Sequence, residues 1–395
     1  LDKFSEIIWP NKLRRFRQST QGSFVGVGIL IRHDDKREIL VVSPLEGTPA
    51  YFAGIKPGDR IAQVNGASTA GWSLNDAVDR ITGREGTVVE LAIRREGEAE
   101  HVIYKIRRNL IKIRSVKGWW KKALDDDGEP EWDWFVDPDT RIGYVRVTAF
   151  NEDTAGDLKK AWRQMRRHGE PNGLIVDLRY NPGGLLTSAV DISNLFVHEG
   201  IIVSGETKDG RKAWPDRRAE PNKAVIARDG VPVVVLVNQG SASASEIVAG
   251  CLQAHGAALI IGRRTYGKGS VQTVHPISRS NALLKLTTQY YRLPPTAEQL
   301  ARGEKGDLVH KVPGATDWGV HPDIVVKTTP QEIKAAFDIR QAADILADAD
   351  DADERPDINT LITEGLDPQL ETALLILQAK ALETTPPDTR HARAD

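Results

Sequence analysis

The segment Val233-Val234-Val235-Leu236-Val237-Asn238-Gln239-Gly240-Ser241-Ala242-Ser243-Ala244-Ser245-Glu246 constrains this chain more than any other. In it an apolar strand breaks at a glycine and passes through small residues into a helix. The surrounding sequence repeats that alternation. Apolar strand patterns at 141–147, 173–178, 231–237 and 258–261 are separated by helical patterns at 154–168, 185–196 and 242–251. Strand and helix in alternation predict an α/β core. A chain of 395 residues with 40% hydrophobic content can bury the cores of two or three domains.

The first twenty residues are basic and polar (Lys12, Arg14, Arg15, Arg17) and read as a short helical lead-in, a docking arm. From Gln21 short β-rich runs punctuated by glycine follow, at 24–31, 38–42 and 58–66. A helix over 74–81 places Leu74, Val78 and Ile81 on one face, and a strand at 87–94 closes a small β-domain. Between 118 and 138 the aromatics Trp119, Trp120, Trp132 and Trp134 alternate with acids. This reads as an inserted surface hairpin or as an element that touches substrate. Beyond Val326 the chain turns helical and acidic (348–354), and an apolar helix over 370–382 is expected to pack on the core or on another subunit. The last dozen residues are expected to be loose. The resulting division is 1–20 arm, 21–108 β-domain, 109–330 α/β core with an insertion at about 118–138, and 331–395 helical segment with tail.

Formal net charge is -2, so no overall basic field points to nucleic acid. The single cysteine, Cys251, excludes an intramolecular disulfide. No run of about 18 apolar residues suggests a spanning helix, and the nine histidines form no H-E-x-x-H pattern. Residues 262–268 match a phosphate-binding loop up to its last position, where Gly269 stands in place of Ser or Thr and a β-branched run follows. The opening Leu1-Asp2-Lys3-Phe4 has neither an initiator Met nor a signal-peptide order, as expected of a trimmed or mature form.

Ser243 sits where the strand breaks into the helix, beside amides that can donate to an oxyanion. The same residues satisfy the S-x-x-E capping box, in which Ser243 only closes the helix start, and both readings stand at this point. Lys268, between Gly267 and Gly269 after a buried-looking strand, is a candidate base. At an ordinary pKa roughly one lysine in a few thousand is neutral at pH 7, so the base requires burial; Arg263 and Arg264 are expected to help depress it. Gln272, four residues on, is placed to orient the amine. The turn Asp177-Leu178-Arg179-Tyr180-Asn181-Pro182-Gly183-Gly184 exposes backbone amides at a strand end. A Ser-His-Asp triad through His255 or His275 remains open, since spacing selects neither.

Together these segments resemble the carboxyl-terminal processing proteases. The motifs lie in the family's order from about Gln21 to Val326: residues 22–28 (GSFVGVG), 53–59 (AGIKPGD), 177–184, 240–246, 266–269 (YGKG) and 321–323 (HPD). The resemblance implies a crotonase-like α/β serine protease core (a ββα spiral), a PDZ domain and helical termini. It places the nucleophile on Ser243, because the family's serine precedes its lysine by the 25 residues separating Ser243 from Lys268. It makes Lys268 the base, Gln272 its orienting partner, and the amides of Gly184 and Ala244 the oxyanion hole. Gly26, Val27, Gly28 and Ile29 then form the loop that takes a substrate's C-terminal carboxylate, flanked by the helix at 73–81.

The implied activity is serine endopeptidase cleavage near protein C-termini through an acyl-enzyme, with no cofactor and no metal. The partners are unstructured protein tails, not nucleic acid, with a homo-oligomer through the terminal helices and an extracytoplasmic location. The rival readings are an inactive PDZ scaffold and a crotonase-like acyl-CoA enzyme.

Overall fold

The computed structural model describes residues 2–10, 12, 13, 16, 21–98, 100–278, 280–346 and 358–384. They form two compact units. The smaller comprises Gly22–Ile113 and Lys122–Glu131, and the larger holds the remainder.

In the smaller unit the strands Ile29–His33, Ile39–Pro44, Arg60–Val64, Val88–Arg94 and Val102–Arg107 lie side by side in that order, all antiparallel. Val89, Leu91 and Ile93 alternate inward, as the two-residue period of a strand requires. With Val41, Ile61 and Ile81 they make its core. One strand, Val102–Arg107, was not read from the sequence, which closed the module with the strand at 87–94 and set a strand-like stretch from about Asn109 beyond the domain boundary at 108. Val102–Arg107 buries only Ile106, so its charged alternation gave a weak apolar signal. Asn109–Lys112 pairs antiparallel with Ser23–Gly26 and brings the unit to Ile113.

Helix Leu74–Ile81 starts with a reciprocal Ser73–Asp76 capping box. It buries Ala77 and Ile81, while Leu74 and Val78 are half-buried. Its last carbonyls would lack partners. Arg108, itself buried, donates to the carbonyls of Ile81 at 2.7 Å and Arg80 at 2.9 Å, and to Val88 at 3.1 Å.

In the larger unit the strands Ile142–Val147, Gly173–Asp177, Val233–Val237, Leu259–Gly262 and Ile324–Val325 run parallel, each beside the next. Val116–Lys117 and Phe135–Asp137 pair antiparallel with the first. Val233–Val237 is apolar throughout because both faces are covered. Val233, Val235 and Val237 face the layer of helices Thr154–His168, Leu186–Phe196 and Ala244–Ala254. Val234 and Leu236 face Leu370, Leu374 and Leu377 of the C-terminal helix Pro368–Thr384, which therefore packs on the core of its own chain. A second sheet joins Glu6–Ile8, Ala282–Arg292, Ile201–Glu206 and Lys212–Arg218, with Ser270–Ile277 also paired to Ala282–Arg292.

Two expectations change here. In the N-terminal arm Glu6–Ile8 is a strand, held by pairing with Leu283–Lys285, while Pro10, Lys12, Leu13 and Phe16 are helical. The segment 118–138 does contain a hairpin, Trp120–Leu124 with Pro130–Asp133. Its tryptophans are not a surface feature, however: Trp119, Trp120 and Trp134 are buried, Trp119 edge-on to Tyr144. Burial of so much aromatic area outweighs the acids between them. The acidic stretch 348–354 and the last eleven residues lie outside the described residues.

Replacing Arg108 by Met keeps the apolar stem and removes every guanidinium hydrogen bond. Protection of the amides of helix 74–81 and strand 88–94 is expected to fall by about 2 kcal/mol, read by native-state hydrogen exchange.

Candidate active site

Strand Val233–Val237 ends in a turn whose conformation is unusual for a side-chain-bearing residue: Ser243 has φ 57° and ψ -114°. Such a backbone persists only where its surroundings fix it. Here Ser241 N–H donates to Asn238 O at 2.9 Å, Ala242 N–H to Asn181 O at 3.0 Å and Tyr266 N–H to Ser241 O at 3.0 Å. The turn Asn181–Gly184 is pressed against it. A Cβ on Gly183 would lie 2.7 Å from the Ser243 Cβ, and one on Gly240 would lie 2.8 Å from the Tyr180 Cα. Only glycine allows these approaches.

The structure separates the three serines by what their hydroxyls do. Ser241 is buried and donates to Leu178 O at 2.8 Å, and Ser245 is buried and donates to Asn181 O at 2.9 Å. Ser243 is half-buried. At the helix start the Glu246 N–H bonds to the Ser243 carbonyl at 2.8 Å, which leaves the Ser243 hydroxyl without a cap hydrogen bond. The amides of Gly184 and Ala244 donate to no acceptor among the described residues. Gly184, at φ 152°, forms a bridge with Phe150 that uses the N–H groups of Phe150 and Leu185 instead.

Lys268 is half-buried on the loop before strand Ser270–Ile277. Desolvation is the main cause that holds its amine below the ordinary lysine range, and the nearby Lys285 cation adds to it. The sequence reading assigned that assistance to Arg263 and Arg264; the cation concerned lies on the neighbouring strand instead. The Lys268 Nζ sits 5.1 Å from the centre of the Phe4 ring. Gln272 Nε2 donates to Ser270 Oγ at 2.9 Å and Thr287 Oγ1 at 3.1 Å, so in this arrangement its amide is turned to the strand beside it, not to Lys268.

Two residues that the sequence reading did not assign to the chemistry join the serine turn to the lysine loop. The Glu246 carboxylate is fully buried. It accepts from Ser243 N–H at 2.8 Å, Thr265 Oγ1 at 2.6 Å, Gly267 N–H at 2.7 Å and Lys268 N–H at 2.8 Å. Burial pushes its pKa up while these four bonds pull it back. Burial is the larger effect, so its pKa stays above the ordinary glutamate range. The hydroxyl of the buried Tyr291 faces two carbonyls, Ser243 O at 3.1 Å and Lys268 O at 2.9 Å. Glu246 was visible only as a capping residue, and nothing local in the sequence marks Tyr291, which arrives on a strand 48 positions from Ser243.

Other motifs fall into supporting places. Arg179, buried, bridges Asp177 and Asp367 at 2.7 Å each and fixes the loop leading to Gly184. Asp323 accepts from Ile260 N–H and Gln253 Nε2, both at 2.7 Å, and so tethers a strand. His255 caps the far end of helix Ala244–Ala254, roughly 18 Å along the axis from Ser243 at 1.5 Å per residue, and bonds to Ile201 O. His275 lies exposed in the strand after Lys268. The loop at Lys268 enters a strand, not the helix a phosphate-binding loop needs.

A strained serine at a strand-to-helix turn, two free amides and a desolvated lysine, with one carboxylate joining the two loops, are groups that acyl transfer can use. Family models match in two places: peptidase family S41 over residues 141–326 and the PDZ domain over 14–94. The carboxy-terminal-processing protease of Bartonella bacilliformis is 36% identical over 342 residues, covering 86% of this chain and 70% of that one. The carboxy-terminal processing protease CtpA of Bacillus subtilis is 38% identical over 273 residues, 69% of this chain and 53% of that one. Among solved structures, a photosystem II D1 C-terminal processing protease aligns with 30% identity and a TM-score of 0.45, over 82% of this chain and 78% of that one. The chain belongs to peptidase family S41, a class of serine-type peptidases, and carries a PDZ domain. It spans about half to two thirds of the length of several of these relatives.

Replacing Glu246 by Gln turns donors toward the backbone amides it now accepts from. kcat is expected to fall about a hundredfold with little change in KM, measured by steady-state peptide cleavage after circular dichroism has shown the variant folded.

Proposed function

We propose that this chain is a tail-specific serine endopeptidase in which Ser243 is the nucleophile and Lys268 the general base. The observation that carries the reading is that, of three serines on one turn, only Ser243 keeps its hydroxyl free of a backbone carbonyl, beside two unspent amides. In the first step neutral Lys268 takes the Ser243 proton and the alkoxide attacks a substrate peptide carbonyl. The amides of Gly184 and Ala244 receive the oxyanion. The lysine ammonium then protonates the leaving amine, and water, deprotonated by the same amine, releases the acyl group. Glu246 and Tyr291 hold the two loops in register and take no proton in this scheme. Gln272 retains Oε1 as an acceptor for the amine once that turns from Phe4 toward Ser243, which makes the arrangement described above a resting one.

Substrate tails are assigned to the PDZ domain, a peptide-binding module. Val27 O and Gly28 O accept from Ala50 N–H at 2.9 Å and Leu45 N–H at 2.8 Å. Among the described residues their own amides donate to none, which supports Gly26, Val27, Gly28 and Ile29 as the carboxylate loop. Edge strand Ile29–His33, beside helix Leu74–Ile81, offers a place for an added strand, with half-buried Leu74 and Val78 toward the side-chain pocket. Unstructured tails with small or apolar ends fit that groove. No described helix is long and apolar enough to cross a membrane; an extracytoplasmic location accompanies this reading through the family resemblance. Self-association through the terminal helices would use the exposed Leu375 and Leu382.

Degradation of casein, with a peptide ending in small apolar residues added, tests the dyad. Ser243→Ala and Lys268→Ala are each expected to lose activity at least about a thousandfold; wild-type activity that persists in both sinks the assignment. Because burial lowers the Lys268 pKa, the base gains its neutral form as pH rises, and the rate is expected to climb to a plateau with a midpoint below the usual lysine value. Lys268→Arg, which stays charged, should be inactive across that range.

Gly28 has φ 78°, and a Cβ there would lie 2.3 Å from Thr48 Oγ1. Gly28→Val is therefore expected to weaken binding of a carboxylate-ended peptide at least tenfold by calorimetry, while Ser243 still reacts with a small active-site-directed fluorophosphonate.

A further inference from the structure

At the carboxyl ends of the parallel strands, under helix Pro330–Ala343, lies a cavity of about 150 Å³. In open parallel sheets this is where ligands bind. Four arginines line it: Arg146, Arg179, Arg263 and Arg340.

Their charges are unequally compensated. Arg179 is fully committed to Asp177 and Asp367. Arg146 pairs with Asp344 through one terminal nitrogen, but its buried Nε has no partner. Arg340 is 6% exposed; its Nη1 donates to Trp119 O at 3.1 Å, its guanidinium stacks 3.7 Å from the Trp119 ring, and its buried Nη2 has no partner. Arg263 meets the side-chain oxygen of Gln239 at 3.1 Å. Neither Arg263 nor Arg340 forms an ion pair among the described residues. The lining acids are already in use, Asp177 and Asp367 on Arg179 and Glu332 on the Thr329 N–H of its own helix. A buried cation with an unpaired donor is costly to keep and needs an explanation.

Helix Pro330–Ala343 contributes an apolar side to the wall, formed by Ile333, Ala336 and Phe337. We propose that this cavity is a binding site for a monoanionic carboxylate bearing a short aliphatic group, its oxygens taken by Arg340, Arg146 and Arg263. The volume admits a carboxylate and a few carbons. The same chemistry is offered by a small free acid and by the last residue of a peptide. The cavity also borders the site: Asn238 Oδ1 in its wall accepts from Tyr180 N–H and Gly240 N–H, both at 2.9 Å, on the two loops that carry Gly184 and Ser243. An occupant would therefore press on both loops from behind.

Isothermal titration calorimetry of the full chain with N-acetylalanine and with its amide tests the site. The acid is expected to bind and the amide not, with affinity reduced at least tenfold in both Arg263→Gln and Arg340→Met. Arg263 is half-buried and free of ion pairs, so its variant carries the test if Arg340→Met fails to fold. A hexapeptide ending in Ala separates the sources: Arg263-dependent peptide binding identifies a chain end as the ligand, while Arg263-dependent binding of the acid alone identifies a free acid. Absence of binding by the acid, equal binding of the amide, or affinity unchanged in Arg263→Gln overturns the proposal; the last result assigns binding to the PDZ groove and leaves the peptidase reading untouched.

Discussion

The catalytic half of this structure depends on one buried carboxylate. Glu246 receives the amide that precedes the Ser243 side chain and the amides of Gly267 and Lys268, so a single group fixes the separation of two loops that come from different strands. Burying a charge carries a large desolvation cost, which four converging donors offset. Thr265 extends the network, since its hydroxyl donates to Glu246 and accepts from Val320 N–H at 2.7 Å. Tyr291 adds a second tie on the carbonyl side. Acceptors thus bind the amides, and a donor binds the carbonyls, of the same two residues.

Around that tie the backbone is held in a conformation it would not adopt alone. The φ of 57° at Ser243 is sustained by glycines whose missing side chains let a neighbouring turn lie against it. Arg179, locked between two aspartates, keeps that turn in place. Such rigidity suits the oxyanion role proposed for the Gly184 and Ala244 amides, because donors aimed at a developing charge act best when nothing has to reorganise during the reaction.

Much of this was legible in the sequence because it rests on local rules. The all-apolar run 233–237, the break at Gly240 and the small residues after it specify a buried strand and an abrupt entry into a helix. The family resemblance then singles out Ser243 among its neighbours, and in the structure the two flanking hydroxyls are bonded to carbonyls. What stayed hidden was long-range. Tyr291, Phe4 and Lys285 reach the site by strand pairing across large sequence separations, which no periodicity reports. The tryptophans of 118–138 were misread as a surface feature because the acids between them mask how deeply alternate residues can be buried. Strand Val102–Arg107 was missed for the opposite reason, since edge strands carry charge and bury little.

The pairing of Glu6–Ile8 with Leu283–Lys285 has a consequence for how such an enzyme is made. Phe4, beside the Lys268 amine, leads into a strand whose partner lies 279 positions further along the chain. Closing so long a loop comes late in folding because its entropy cost precedes its reward. Until that loop closes, Phe4 is absent from beside the Lys268 amine, whose desolvation is then incomplete. Loss of the proton from that lysine is thereby coupled to one of the longest-range pairings in the chain.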